Sequence, residues 1–173
     1  MDIKKTANSF ANFTIKRIAE ILGIIFFGAG VLLFLALFTY SPEDPNFIFP
    51  ENTKIKNILG FQGSFVSDIF FQSLGLISYF FSFTLIVTGI NIIRSKEFFL
   101  IIENIFFAII YCIFGTLFFA HFYSEAFTLY INGNGGFIGA YLNQTFLNSI
   151  ILINEVIFYY FLIISNIFLF LIS

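Results

Sequence analysis

Four long runs of almost uninterrupted apolar side chains constrain this chain more than any other feature. They extend from Ile18 to Tyr40, Ile69 to Ile93, Phe98 to Phe122 and Ile150 to Ile172. A helix crosses the hydrocarbon core of a bilayer with about 20 predominantly apolar residues. Backbone amides and carbonyls find no water there, so an isolated apolar run must satisfy its own hydrogen bonds, which a helix does. The expected fold is therefore an all-α integral membrane bundle of four transmembrane helices. Composition agrees, because 10% of residues are charged where a soluble domain carries about 25%. A water-soluble fold of 173 residues leaves too much surface wet to hide so many Phe and Ile side chains. Part of the Phe excess is read as AT-rich codon usage rather than an aromatic binding surface. The net charge of -2 gives no electrostatic footprint for nucleic acid, so no direct contact with it is expected.

Charge sets the expected direction of threading. Lys4, Lys5, Lys16 and Arg17 lie in a tail, residues 1–17, before the first span, 18–40. Arg94 and Lys96 lie in a turn, 94–97, between the second span, 69–93, and the third, 98–122. The positive-inside rule places both segments in the cytoplasm. The loops 41–68 and 123–149 then face outward, and the fourth span, 150–172, returns inward, giving an N-in/C-in topology. The first run is too long for a signal-peptide core of about 7–15 residues and is expected to be retained as an anchor. The absence of a polar flank after Ser173 suggests the membrane part of something longer.

Small residues form stripes on three spans. Ala108, Cys112, Thr116 and Ala120 recur every fourth residue on the third span. Ser78, Ser82 and Gly89 follow Gly75 on the second, and Gly23 and Gly30 stand seven apart on the first. Such spacing gathers side chains on one helix face, and small faces let helices approach closely in lipid. The sequence leaves open whether these faces pack within one subunit or between subunits. The fourth span has no such stripe and is expected to face lipid or pack loosely. Cys112, the lone cysteine, reads as a packing residue.

The outer loops carry turn chemistry. Ser41-Pro42-Glu43-Asp44-Pro45-Asn46 stops the first helix. Asn57-Ile58-Leu59-Gly60-Phe61-Gln62-Gly63 is expected to form a re-entrant or interfacial turn, with Asp68 capping the second span. Gly133-Asn134-Gly135-Gly136-Phe137-Ile138-Gly139 lacks the preceding strand and the spacing of a nucleotide-binding loop. It reads as a turn into a short interfacial helix through Ala140, Tyr141 and Leu142.

Little in the chain suggests chemistry. Phosphate-loop, nucleophile-elbow and zincin motifs are missing, and no catalytic, cofactor-binding or metal site is expected. His121, four residues before Glu125, reads as an interfacial anchor rather than a metal or proton site. Glu103 and Glu155 each lie a little inside the start of their span, toward opposite leaflets, where snorkelling accommodates them. A small transporter or channel subunit is the alternative reading, motivated by His121, Glu103 and Glu155. Against it, none of the spans has an internal proline or a midplane charge.

The loop motifs resemble the N-terminal four-transmembrane domain of FtsK/SpoIIIE-type DNA translocases, in particular the FtsK branch. The first likeness is the segment with Pro42, Asp44 and Pro45, followed by the aromatic Phe47. The second is Asn57, Gly60, Gly63 and Ser64, leading through Asp68 to Gly75 and Tyr79. The third is Gly135-Gly136 with Gly139 before the last span. Together they cover the chain from about Arg17 onward. One departure is Ser82, where the family commonly has a proline. The resemblance implies an anchoring and interaction domain in the bacterial inner membrane at the division septum, with divisome membrane proteins as partners. It also implies homo-oligomerisation as a hexamer and a cytoplasmic ATP-driven DNA motor that is absent from these residues.

Overall fold

The computed structural model describes residues 3–45, 54–124 and 132–173. The described residues are helical apart from turns and loops. Among the described residues, seven helices follow one another: α1 Ile3–Phe38, α2 Gly60–Leu74, α3 Ile77–Ser95, α4 Phe99–Phe122, α5 Gly136–Asn143, α6 Phe146–Ile153 and α7 Glu155–Ile172. Four are long and apolar enough to span a membrane: Ser9–Phe38 within α1, then α3, α4 and α7.

The spanning helices form a row in the order α1, α3, α4, α7, rather than a closed ring. The tightest seam is α1 against α3, where backbone meets backbone. A Cβ on Gly89 would lie 2.4 Å from the Phe27 amide nitrogen, and one on Gly30 would lie 2.9 Å from the Ser82 carbonyl oxygen. The glycine faces read from the sequence thus meet inside one chain. With no hydrophobic drive between helices in lipid, this close van der Waals approach is what holds the pair.

Two ends of the row are distinguished by chemistry. At the basic end, Glu20 of α1 pairs with Arg17 and, at 2.7 Å, with Lys96 in the α3–α4 turn. Lys96 takes the left-handed conformation that closes α3, and Arg94 sits in the last turn, where the helix dipole favours a cation. At the opposite end, here called the loop end, lie α2, α5 and α6.

Several expected boundaries shift. The run from Ile69 to Ile93 is not one helix. Gly75 adopts φ 60° and ψ −141°, breaking the chain between α2 and α3. The span therefore begins at Ile77, and Ile69–Leu74 belongs to α2. Asp68 consequently lies within α2 rather than at the start of a span, and it accepts a hydrogen bond from the Tyr40 hydroxyl at 3.2 Å. The run from Ile150 is likewise interrupted at Asn154, whose side chain accepts the Ile157 amide and starts α7. Glu155 is thus the first residue of α7 rather than an interior one. The helices Gly136–Asn143 and Leu147–Ile153 meet at 68°.

Polar groups cross the seams deeper in the row. The Asn104 amide donates to the Thr88 hydroxyl at 2.8 Å. Thr84 and Tyr111 share a hydroxyl hydrogen bond of 2.9 Å. Asn166 donates to the Tyr111 carbonyl at 2.6 Å, tying α7 to α4. Each such bond between spanning helices is worth about 0.6 kcal/mol on average. Ser173 is buried against Thr84, which lies ~15 Å short of Arg94 along α3.

Candidate functional site: the interlocked loops

The family motifs noted in the sequence converge at the loop end, and each contact has a local cause. After α1 ends, Pro42 and Pro45 hold a turn in which Asp44 is buried. Its carboxylate accepts two backbone amides, Lys56 N–H and Asn57 N–H, both at 2.8 Å. A buried carboxylate needs such donors, because leaving it unpaired is costly. Asn57 continues the chain of contacts. Its side-chain amide donates to the Ala36 carbonyl at 2.9 Å, and its side-chain oxygen accepts the Leu59 amide at 3.1 Å. The Ala36 carbonyl is one of the acceptors that the end of α1 leaves without an intrahelical partner. Asn57 therefore caps α1 from across the loop.

Gly63 makes room for Asn57, because a Cβ there would lie 2.2 Å from the Asn57 side-chain oxygen. Ser64 donates to the Pro45 carbonyl at 2.9 Å, and the Tyr79 hydroxyl donates to the Leu37 carbonyl at 3.1 Å. Gly60 has φ 66° with open space around it, so its freedom serves the turn rather than packing. Motifs far apart in sequence thus fasten α2 and α3 to the end of α1. Outside this knot, exposed Lys56 and Glu43 form an ion pair. That hydrogen bond lowers the Glu43 pKa and raises the Lys56 pKa from their ordinary values.

The second glycine cluster locks the other loop onto the same structure. Asn134 accepts the Leu76 amide through its backbone carbonyl at 2.9 Å. A Cβ at Gly75 would lie 1.9 Å from that oxygen, and one at Gly136 would lie 2.6 Å from the Gly75 amide nitrogen. Both glycines have positive φ. Gly135 and Gly139 pack on α4. Added Cβ atoms would fall 2.5 and 2.3 Å from the Thr116 carbonyl oxygen, with Ala120 alongside. The Ala108–Ala120 stripe is therefore divided. Thr116 and Ala120 receive α5, while Ala108 and Cys112 pack with Ile77 and Tyr111. Ser78 donates to the Phe70 carbonyl and Ser82 to the Tyr79 carbonyl; α3 runs unbroken through Ser82, which keeps the backbone N–H that a proline lacks.

The ionisable candidates do not converge. Glu103 and Glu155 are exposed at opposite ends of the row. His121 shares a 3.0 Å hydrogen bond with Asn143, and Glu125 lies outside the described residues, as do Asn46 and Phe47. Among the described residues, no three His, Cys, Asp or Glu side chains gather as a metal site. Sequence reasoning missed Asn134 as the keystone between the loops, as well as Asn104 and Asn166. For the last two, a single amide in an otherwise apolar span was the available signal. For Asn134 the contact with Leu76 is made by the backbone carbonyl, which residue type does not signal, while its buried side-chain amide donates to the Tyr123 carbonyl.

Fold and site together define a polytopic membrane domain of four spanning helices whose two long loops interlock at one end. The chain belongs to the family described as the 4TM region of DNA translocase FtsK/SpoIIIE, which it matches over residues 15–173. It is 29% identical over 98 residues to a DNA translocase FtsK of Rhizobium meliloti, covering 57% of this chain and 11% of that protein. It is 36% identical over 68 residues to a DNA translocase FtsK of Caulobacter vibrioides, covering 39% of this chain and 8% of that protein. The matched region is thus about a tenth of each relative's length. No solved structure matches.

Proposed function

We propose that this chain is the membrane-anchoring and interaction domain of a bacterial DNA translocase acting in cell division and chromosome segregation. The observation that carries this reading is the convergence of the family's loop motifs into one interlocked structure, held to the spans by Asp44, Asn57, Gly75 and Asn134. Buried motifs of this kind maintain the shape of a surface, which suits a domain that acts by contacts. The N-in/C-in orientation belongs to the proposal and draws on Arg17, Arg94 and Lys96 at the basic end. In that orientation the loop end faces the periplasm, and α7 runs toward the cytoplasm, where an ATP-driven motor would operate. Assembly as a hexamer, divisome membrane proteins as partners and residence at the septum belong to the same proposal.

A fluorescent fusion of the chain in dividing cells tests it. The expected result is enrichment at midcell that is lost in Asp44→Ala while membrane insertion persists. Uniform distribution of the unaltered fusion around the cell envelope would count against the proposal. The transporter reading draws no support from Glu103 and Glu155, which are exposed rather than facing a shared cavity.

A further inference from the structure

We propose that α2 and α5 lie within the bilayer, in the leaflet surrounding the loop end, with their exposed aromatic side chains in contact with the headgroup and upper acyl-chain region of that leaflet. The inference rests on the membrane reading of the four spans.

Depth is the first argument. α5 is seated against Thr116 through Gly135 and Gly139, and Thr116 lies ~9 Å inside the loop end of α4. Ile138 of α5 lines the same groove as Ile109 and Ile113, deeper still on α4. α2 behaves similarly, because Gln62, Val66 and Phe70 share a groove with Ala29 and Leu33 of α1. Those two α1 residues lie ~14 and ~8 Å below its end at Phe38. Both helices therefore flank the outer third of the spans instead of standing above it.

Charge is the second argument. A helix facing water carries polar and charged residues on its outer face. α5 has no charged residue, and the single one in α2, Asp68, is bonded to Tyr40. Apart from the uncharged Gln62, the exposed positions of the two helices are aromatic or aliphatic. Phe137 and Tyr141 are 60% and 61% exposed and stack on each other, and Phe61 and Ile69 are also exposed. Tyr rings such as Tyr141 are usual anchors at the headgroup level, and the wholly apolar Phe61 and Phe137 suit the acyl-chain region just below it.

The grooves supply the third argument. Those beneath α2 and α5, ≈ 430 and ≈ 490 Å³, have mainly apolar walls formed partly by the spans themselves. At that depth the surrounding medium is acyl chain, which fills such grooves without a specific partner.

The chain contains no tryptophan, so a single introduced indole reports its own surroundings. Phe137→Trp, Tyr141→Trp and Phe61→Trp would be reconstituted separately in phosphatidylethanolamine/phosphatidylglycerol vesicles containing phosphatidylcholine brominated either high or low on its acyl chains. Ile109→Trp, on the exposed face of α4, is the reference for a span. The expected result is that all three loop-end variants lose most of their emission to the high-brominated lipid, lose less to the low-brominated lipid, and resist aqueous iodide. Ile109→Trp should respond most to the low-brominated lipid. Strong iodide quenching of the loop-end variants would overturn the proposal in favour of a wet surface. Protection from all three quenchers would overturn it in favour of a protein cover. An Ile109→Trp indole open to iodide would instead overturn the membrane reading beneath it.

Discussion

Replacing Gly75 by alanine should separate the two loops, and its cost can be built up from the structure. Gly75 has φ 60° and ψ −141°. That region is close to glycine-only, and a side chain held there costs about 1–3 kcal/mol. The added Cβ would also lie 1.9 Å from the Asn134 carbonyl oxygen. The strands of loop must part by more than about 1 Å to restore van der Waals contact. Parting them breaks the Leu76 amide bond to that oxygen, a further loss of about 0.5–1.5 kcal/mol. The total is about 1.5–4.5 kcal/mol. Two other glycines isolate the terms. Gly60 has φ 66° but open space, so Gly60→Ala should cost only the backbone strain, about 1–2 kcal/mol. Gly28 is helical with nothing near its added Cβ, so Gly28→Ala should be neutral to stabilising, by up to about 1 kcal/mol. Equilibrium unfolding of reconstituted protein by steric trapping gives the order, and amide exchange at Leu76 shows where the damage lies. If Gly75→Ala is no less stable than Gly60→Ala, the carbonyl contact between the loops does not exist as described and the reasoning fails.

Four further outcomes follow from the same geometry. Asp44→Ala removes the acceptor of two backbone amides and should destabilise by about 2–4 kcal/mol, since each buried donor left unpaired costs about 1–3; an unchanged unfolding midpoint would contradict its role. Asn166→Leu should weaken the α4–α7 seam by no more than about 1.7 kcal/mol, the upper end for polar contacts between membrane helices, measured by the same unfolding assay. The Glu43–Lys56 pair should respond to pH with a fixed sign. A lowered Glu43 pKa gives stabilisation that is present above the unfolded-state pKa and lost as pH falls through the folded one. The pair is exposed, so this acid-side dependence and the loss of stability in Glu43→Gln at neutral pH should both be small and should match each other. Glu103→Gln and Glu155→Gln, at exposed positions, should leave ion flux in reconstituted vesicles at the level of empty vesicles, as the unaltered chain should; flux that falls on either change would revive the transporter reading.

How far the sequence reached can be judged residue by residue. The third span, expected from Phe98 to Phe122, is α4 from Phe99 to Phe122. Its apolar run is bounded by a basic turn on one side and a polar loop on the other, so hydropathy alone locates it. The helix through Ala140, Tyr141 and Leu142 is α5, legible because a glycine cluster stops just before it. The span expected from Ile69 failed at Gly75. Hydropathy does not see a break when apolar residues continue on both sides, and a glycine within a helical run is no proof of one. The break depends on Asn134, some sixty residues later, which gives Leu76 a hydrogen-bond partner outside the helix. Glu155 moved to a helix start for a related reason, since Asn154 used its side chain to cap instead of continuing the turn.

The four spans and the family were decided by the sequence alone, because transfer into lipid depends on side-chain chemistry that each residue carries wherever it lies. The short motifs around Asp44, Asn57, Gly75 and Gly136 were visible there too, but only as separate marks along the chain. Their meaning came from the tertiary structure. A carboxylate finds its two amides, a glycine admits a carbonyl, and two loops become one cap only when distant segments are brought within hydrogen-bond reach. The row order α1, α3, α4, α7 was decided in the same way, by small side chains that let backbones meet at the α1–α3 seam and by aromatic and aliphatic packing at the α4–α7 seam.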